Sequence, residues 1–129
     1  MSKPLRLLIV DDSRAAREEL STLLSEESHI QEIWTAKHGL EALSLAEEHQ
    51  PDVVLLDQNM PGLTGVEVAR RLKEANSDAR IIFVSADPDA RELAMAAGAE
   101  AFFVKGVNAA GLIQALRVAR TQSATPGER

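Results

Sequence analysis

Three runs in this chain are built almost wholly of large branched apolar residues: Leu7 to Val10, Val53 to Leu56 and Ile81 to Val84. A strand with one wet face alternates apolar and polar side chains, so an unbroken branched run needs cover on both faces. Longer stretches with apolar residues at helical spacing separate the runs. That order is the mark of repeated β-α units around a parallel sheet.

Read along the chain, the first strand is expected at Leu5 to Val10. A helix follows over Arg14 to Glu26, with Ala16, Leu20, Leu23 and Leu24 on one face. Ile30 to Ala36 is interrupted by Gln31 and Glu32 and reads as an edge strand. The second helix, about Gly39 to Glu48, would bury Leu40, Leu43 and Ala46. Val53 to Asp57 is the central strand, and Met60-Pro61-Gly62 a turn. The third helix, about Gly65 to Ala75, turns Val66, Ala69 and Leu72 inward and leaves Arg70, Arg71, Lys73 and Glu74 in solvent. After a strand at Arg80 to Val84, Asp87 is a helix N-cap with Pro88 at the first helical position, and the helix ends at Gly98. A strand at Ala101 to Val104 and a helix at about Ala109 to Arg120, burying Leu112, Leu116 and Ile113, complete the pattern. The expected architecture is α/β: a doubly wound, five-stranded parallel sheet in one domain, residues 1–120, with right-handed crossovers. Residues 121–129, TQSATPGER, hold no core-forming side chain and read as a flexible tail or a cut linker.

Composition removes several functions. A net charge of -6 opposes a nucleic-acid surface, and 3% aromatic content offers no base-stacking platform. With no cysteine there are neither disulfides nor thiolate metal sites. No apolar run approaches the roughly 18 residues of a membrane span, and Asp11 and Asp12 spoil any signal-peptide cleavage site. A cytoplasmic location is the expectation.

Ligands of doubly wound sheets bind beyond the carboxyl ends of the strands. The residues at those ends are Asp11 and Asp12 after the first strand, Asp57 at the third, Ser85 after the fourth and Lys105 after the fifth. Three crowded carboxylates raise one another's pKa unless a positive charge joins them. An all-oxygen donor set favours a hard cation, Mg2+, over a transition metal. Mg2+ beside a carboxylate, with a lysine nearby, suits phosphoryl transfer onto that carboxylate.

Four segments then establish a resemblance: IVDDS (Ile9 to Ser13), DVVLLDQNMPGLTG (Asp52 to Gly65), IIFVSA (Ile81 to Ala86) and AGAEAFFVK (Ala97 to Lys105). In order and spacing the chain resembles a bacterial two-component response-regulator receiver domain, a chemotaxis-type, flavodoxin-like fold with strand order 2-1-3-4-5. The resemblance implies Asp57 as phosphoacceptor and Mg2+ held by Asp11, Asp12, Asp57 and the Asn59 backbone carbonyl. Ser85 and Lys105 would bind the phosphoryl oxygens, Phe102 would be the aromatic switch, and Asn59 and Asp87 would tune hydrolysis. The implied phosphodonor is a histidine kinase or phosphotransfer protein. The implied output is a downstream protein or fused effector met through the helix 4-strand 5-helix 5 face, which could also pair two copies. No nucleic-acid or membrane contact is expected of this domain, and no catalysis beyond its own phosphorylation and dephosphorylation.

The chain departs from the family pattern where Gly106 follows Lys105 instead of proline. A trans peptide is expected there, because a non-proline cis bond costs about 3–4 kcal/mol. Phe102 stands where tyrosine is frequent, and Ser85 where threonine is commoner. Taken singly, Asp12 or Ser13 reads as a helix cap, Lys105 as a surface charge, Phe83 and Phe103 as core and Trp34 as partly exposed packing. His29, His38 and His49 read as surface imidazoles, and Ala94 to Ala97 as a smooth docking surface. A haloacid-dehalogenase-type phosphatase would need a second Asp where Asn59 stands, and a dinucleotide enzyme would need glycines in DDSRAAR. The readings left beside a working switch are the receiver half of a DNA-binding regulator and a degenerate docking-only receiver.

Overall fold

The computed structural model describes residues 3–121. The elements are β1 (Leu5–Val10), α1 (Arg14–Ser25), β2 (Ile30–Ala36), α2 (Gly39–His49), β3 (Val53–Leu56), α3 (Gly65–Glu74), β4 (Arg80–Ser85), α4 (Arg91–Ala96), β5 (Ala101–Val104) and α5 (Ala109–Thr121), with a 3-10 turn at Pro88–Ala90. The strands form one parallel sheet in the order β2-β1-β3-β4-β5. No helix among the described residues is long and apolar enough to cross a membrane. Beyond Thr121, the expected tail lies outside the described residues.

The unbroken apolar runs are explained by two cores. Leu8, Val10, Val54, Leu56, Ile81 and Phe83 point to the side covered by α2, α3 and α4. Leu7, Ile9, Val53, Leu55, Ile82 and Val84 point to the side covered by α1 and α5, where Leu24, Leu112 and Leu116 meet them. The period of two persists along each strand, but both faces are greasy, so the sequence shows no alternation.

Four local readings are corrected. Leu40 is 64% exposed, and α2 instead packs through Gly39, Ala42 and Ala46. The reason is close approach: a Cβ on Gly39 would stand 2.7 Å from the Leu63 Cβ and 2.9 Å from a Val68 methyl, so only a small-residue stripe fits there. The fourth helix is split, because Asp87 and Pro88 wind a 3-10 turn before α4, leaving α4 six residues long. Ala94 faces the core rather than a partner surface, while Leu93 and Met95 are exposed. Of the three histidines only His38 is on the surface, where its Nδ1 accepts the Glu41 N–H and caps α2. His29 is buried, drawn beneath β1 by the bond from Leu5 N–H to its carbonyl, 2.8 Å. His49 is half-buried and stacks on Trp34 with ring centroids 4.3 Å apart.

The start of α3 matters for the site, and its local chemistry is complete. Thr64 Oγ1 accepts the Glu67 N–H at 3.3 Å while Glu67 Oε1 accepts the Thr64 N–H at 2.9 Å, a reciprocal capping box. These bonds from Thr64 hold the Glu67 carboxyl below its ordinary pKa. A group depressed on folding stabilises above its unfolded pKa and loses that contribution as pH falls through the folded value. Loss of the N-cap hydroxyl in Thr64→Ala is expected to cost about 1 kcal/mol in urea unfolding at neutral pH. The wild-type advantage should fade on acidification through and below the usual carboxylate range.

Candidate functional site

The backbone ladder runs one residue past each strand and so delivers side chains to one rim. Asp11 N–H donates to the Ala36 carbonyl at 3.1 Å, Asp57 N–H to the Val10 carbonyl at 3.0 Å, and Lys105 N–H to the Ser85 carbonyl at 2.8 Å. Asp11, Asp12 and Asp57 offer carboxylate oxygens all within 4.8 Å of one another. Lys105 Nζ lies 2.6 Å from Asp11 Oδ2 and 3.4 Å from Asp57 Oδ2. Asp11 and Asp57 are buried and Asp12 is exposed. The donor set holds no histidine or thiolate, which is the chemistry of a hard, oxygen-seeking cation such as Mg2+.

The other expected positions fall around this centre. Ser85 is fully buried, and its Oγ accepts the Asp87 N–H at 3.2 Å. Asp87 turns its own Oδ1 to the Asp89 N–H at 2.9 Å, so its carboxylate is occupied as a cap. Asn59 is exposed on the loop after β3. Phe102 is buried on β5, opposite Phe83 of β4 in the sheet register. The Lys105-Gly106 peptide is trans, and Gly106 takes a positive φ of 74° that glycine accepts freely. Ser13, not Asp12, caps α1, its hydroxyl accepting the Ala16 N–H.

Three supporting residues were not assigned roles from the sequence. Arg17 donates from α1 to the Asp11 carbonyl at 2.7 Å. Gly65 lies so close to the acidic strand that a Cβ there would stand 2.3 Å from the Asp57 carbonyl oxygen. Gln58 is buried beside Asp57, with its side-chain oxygen 2.8 Å from the Val66 N–H. Gly65 stood inside a recognised segment, and a glycine opening a helix is a visible signal. Arg17 and Gln58 carry no local signal, since each bonds to backbone that only the fold brings near.

Electrostatics follow the geometry. Burial first, then repulsion from Asp11 and Asp12, raises the Asp57 pKa above its ordinary value, and Lys105 offsets this only in part. Burial by itself would lower Lys105, but its hydrogen bond to Asp11 and the charges of Asp57 and Asp11 outweigh that and leave it raised. The ammonium therefore stays charged throughout the neutral range.

Comparison with known proteins gives the family. Residues 7–117 match the response regulator receiver domain. Over 117 residues the chain is 35% identical to response regulator GacA of Pseudomonas viridiflava, covering 88% of this chain and 54% of that protein. It is 42% identical over 94 residues to protein-glutamate methylesterase/protein-glutamine glutaminase 5 of Myxococcus xanthus, covering 73% of this chain and 27% of the relative. Among solved structures, response regulator protein TrrA from Thermotoga maritima in complex with Mg2+-BeF superposes with a TM-score of 0.80 at 36% identity, covering 89% of this chain and 98% of TrrA. The response regulator domain of Thermotoga maritima CheB gives a TM-score of 0.83 at 28% identity, covering 96% and 100%. The chain belongs to the response regulator receiver domain family. It spans about half the length of GacA, and less of the methylesterase.

A raised folded-state pKa means that the ionised Asp57 costs stability above that pKa, a cost relieved as pH falls toward the unfolded value. In metal-free buffer at neutral pH, Asp57→Asn is expected to stabilise the fold, because it removes a buried carboxylate repelled by Asp11. The gain should shrink on acidification through the raised Asp57 pKa, as measured by urea unfolding across a pH series.

Proposed function

We propose that the chain is a phosphoacceptor switch in which Asp57 receives a phosphoryl group from a histidine kinase or phosphotransfer protein. The observation that carries this reading is two buried carboxylates, Asp11 and Asp57, joined by the half-buried Lys105 with the exposed Asp12 alongside, four charged groups at three strand tips. A purely structural charge cluster would end in matched pairs; this one holds a net excess of carboxylate, which suits a metal and an incoming electrophile.

Asp11, Asp12 and Asp57 would hold Mg2+, joined by the Asn59 backbone carbonyl, and the ion would supply positive charge against the phosphoryl oxygens. An Asp57 carboxylate oxygen attacks phosphorus as the phosphorus–nitrogen bond of the phosphohistidine breaks, and the leaving imidazole keeps the electron pair. Lys105 stands beside the Asp57 oxygen and takes up charge on the transferred group. Ser85 exchanges its bond with the Asp87 N–H for one to a phosphoryl oxygen. That movement alters packing against Phe102 and shifts the population of the face made by α4, β5 and α5. Support for a mobile α4 is its length of six residues, its small buried contacts at Ala90 and Ala94, and its exposed Leu93 and Met95. The same face serves a downstream protein, a fused effector or a second copy. The receiver half of a longer regulator is the second reading beside the stand-alone switch. A docking-only receiver is disfavoured by the full acidic set. The domain acts as a signalling element with no catalysis beyond its own phosphorylation and hydrolysis.

Mass spectrometry after treatment with acetyl phosphate should show a phosphoryl mass gain on Asp57 that requires Mg2+ and is absent in Asp57→Asn. Labelling that persists in Asp57→Asn, or that ignores Mg2+, would sink the assignment. Polar Asn59 beside the site leads to an acyl phosphate lasting seconds to minutes; persistence over many hours would contradict that role.

A further inference from the structure

The six residues from Asn59 to Thr64 leave β3 and return to it within a short span, and both ends of the loop are tied to one residue. The Gln58 carbonyl accepts the Gly65 N–H at 3.0 Å, and its side-chain Oε1 accepts the Val66 N–H at 2.8 Å. Those two N–H groups belong to the first turn of α3, whose leading donors have no partner within the helix. Thr64 serves the Glu67 N–H, so Gln58 supplies what the capping box does not. The side chain is 8% exposed, and Gly65 lies against the peptide joining Asp57 to Gln58, 2.9 Å from a hypothetical Cβ to the Gln58 Cα. Met60, also buried, pins the loop from beneath, while Asn59 is left at the surface.

We infer that Gln58 is a positioning residue: by holding the first turn of α3 against the end of β3, it closes the loop that carries Asn59, whose carbonyl would join the Mg2+ ligands. This rests on the reading of the cluster as a Mg2+ site and deepens it, because the Gln58 side-chain oxygen is engaged by the Val66 N–H and acts through the loop. A side chain of similar size without an acceptor leaves the Val66 N–H unbonded, and the loop regains freedom at its closing end. Groups that orient a metal ligand from behind change affinity by roughly 10–100-fold when removed.

Nitrogen-15 labelled protein tests this with Mg2+ alone as the probe. Gln58→Met should speed hydrogen exchange at the Val66 amide and weaken Mg2+ binding, read on the Asn59 amide, by about tenfold. With acetyl phosphate, the Mg2+ concentration for half-maximal phosphorylation should rise by the same factor while the rate at saturating Mg2+ is unchanged. Gln58→Glu, which keeps an oxygen at the same reach, should restore the Val66 protection. Leu116→Val, in the distant α5 core, should lower stability yet keep the wild-type Mg2+ affinity. Should Gln58→Met fail to fold, Gln58→Asn, one methylene shorter, reads the same quantities. Mg2+ binding within twofold of wild type, unchanged Val66 exchange, or an equal affinity loss in Leu116→Val would each overturn the inference. Wild-type protein that binds Mg2+ but takes up no phosphoryl group would remove the phosphoacceptor reading, while exchange and affinity still decide on Gln58.

Discussion

A single ammonium group, Lys105 Nζ, stands between two buried carboxylates that no folded chain would otherwise place together. It lies 2.6 Å from Asp11 and 3.4 Å from Asp57. Burying one ion is costly, and burying two of like sign is worse, unless an opposite charge is fixed beside them. Strand order solves the placement. With β1 and β3 adjacent, Asp11 and Asp57 are neighbours across the rim; β4 stands between β3 and β5, and lysine's flexible stem reaches past it to both carboxylates. The compensation is partial, since Asp57 stays raised even with Lys105 in place. The fold thus keeps an unsettled charge balance at the one place where a cation and a phosphate can settle it.

How much of this was written in the sequence differs by level. The layered architecture was legible because unbroken runs such as VVLL have only one comfortable setting, between two helical layers. The rim residues were legible too, because strand ends are located by the same runs. What was not legible depended on distance between elements. Leu40 belongs to a helical stripe on paper, yet the gap to α3 admits only Gly39 and alanines. His29 looked polar and free, but its carbonyl is drawn in by Leu5. Gln58 sat inside a recognised segment without a role, because its partner, the Val66 N–H, lies eight residues on and is brought near only when α3 folds back.

A division of labour between rigid and yielding parts follows. The α3 start is tied by a capping box, by Gln58 and by the Gly65 contact, so the loop carrying Asn59 rests on a firm base. On the far side of β4, α4 is six residues long, preceded by a 3-10 turn, and buries a single alanine, Ala94. Small side chains bury little area, so less free energy opposes a change in helix position. Stiffness surrounds the acidic centre and compliance lies one strand away, joined through Ser85 at the end of β4.

The sole tryptophan is placed far from that centre in function as well as position. Trp34 stacks on His49 at the end of α2 and lies under the Arg6 guanidinium, which also holds the His49 and Gln50 carbonyls. Its light emission is therefore a gauge of the seam between α2 and the sheet edge. An optical trace from this protein would register that seam coming apart.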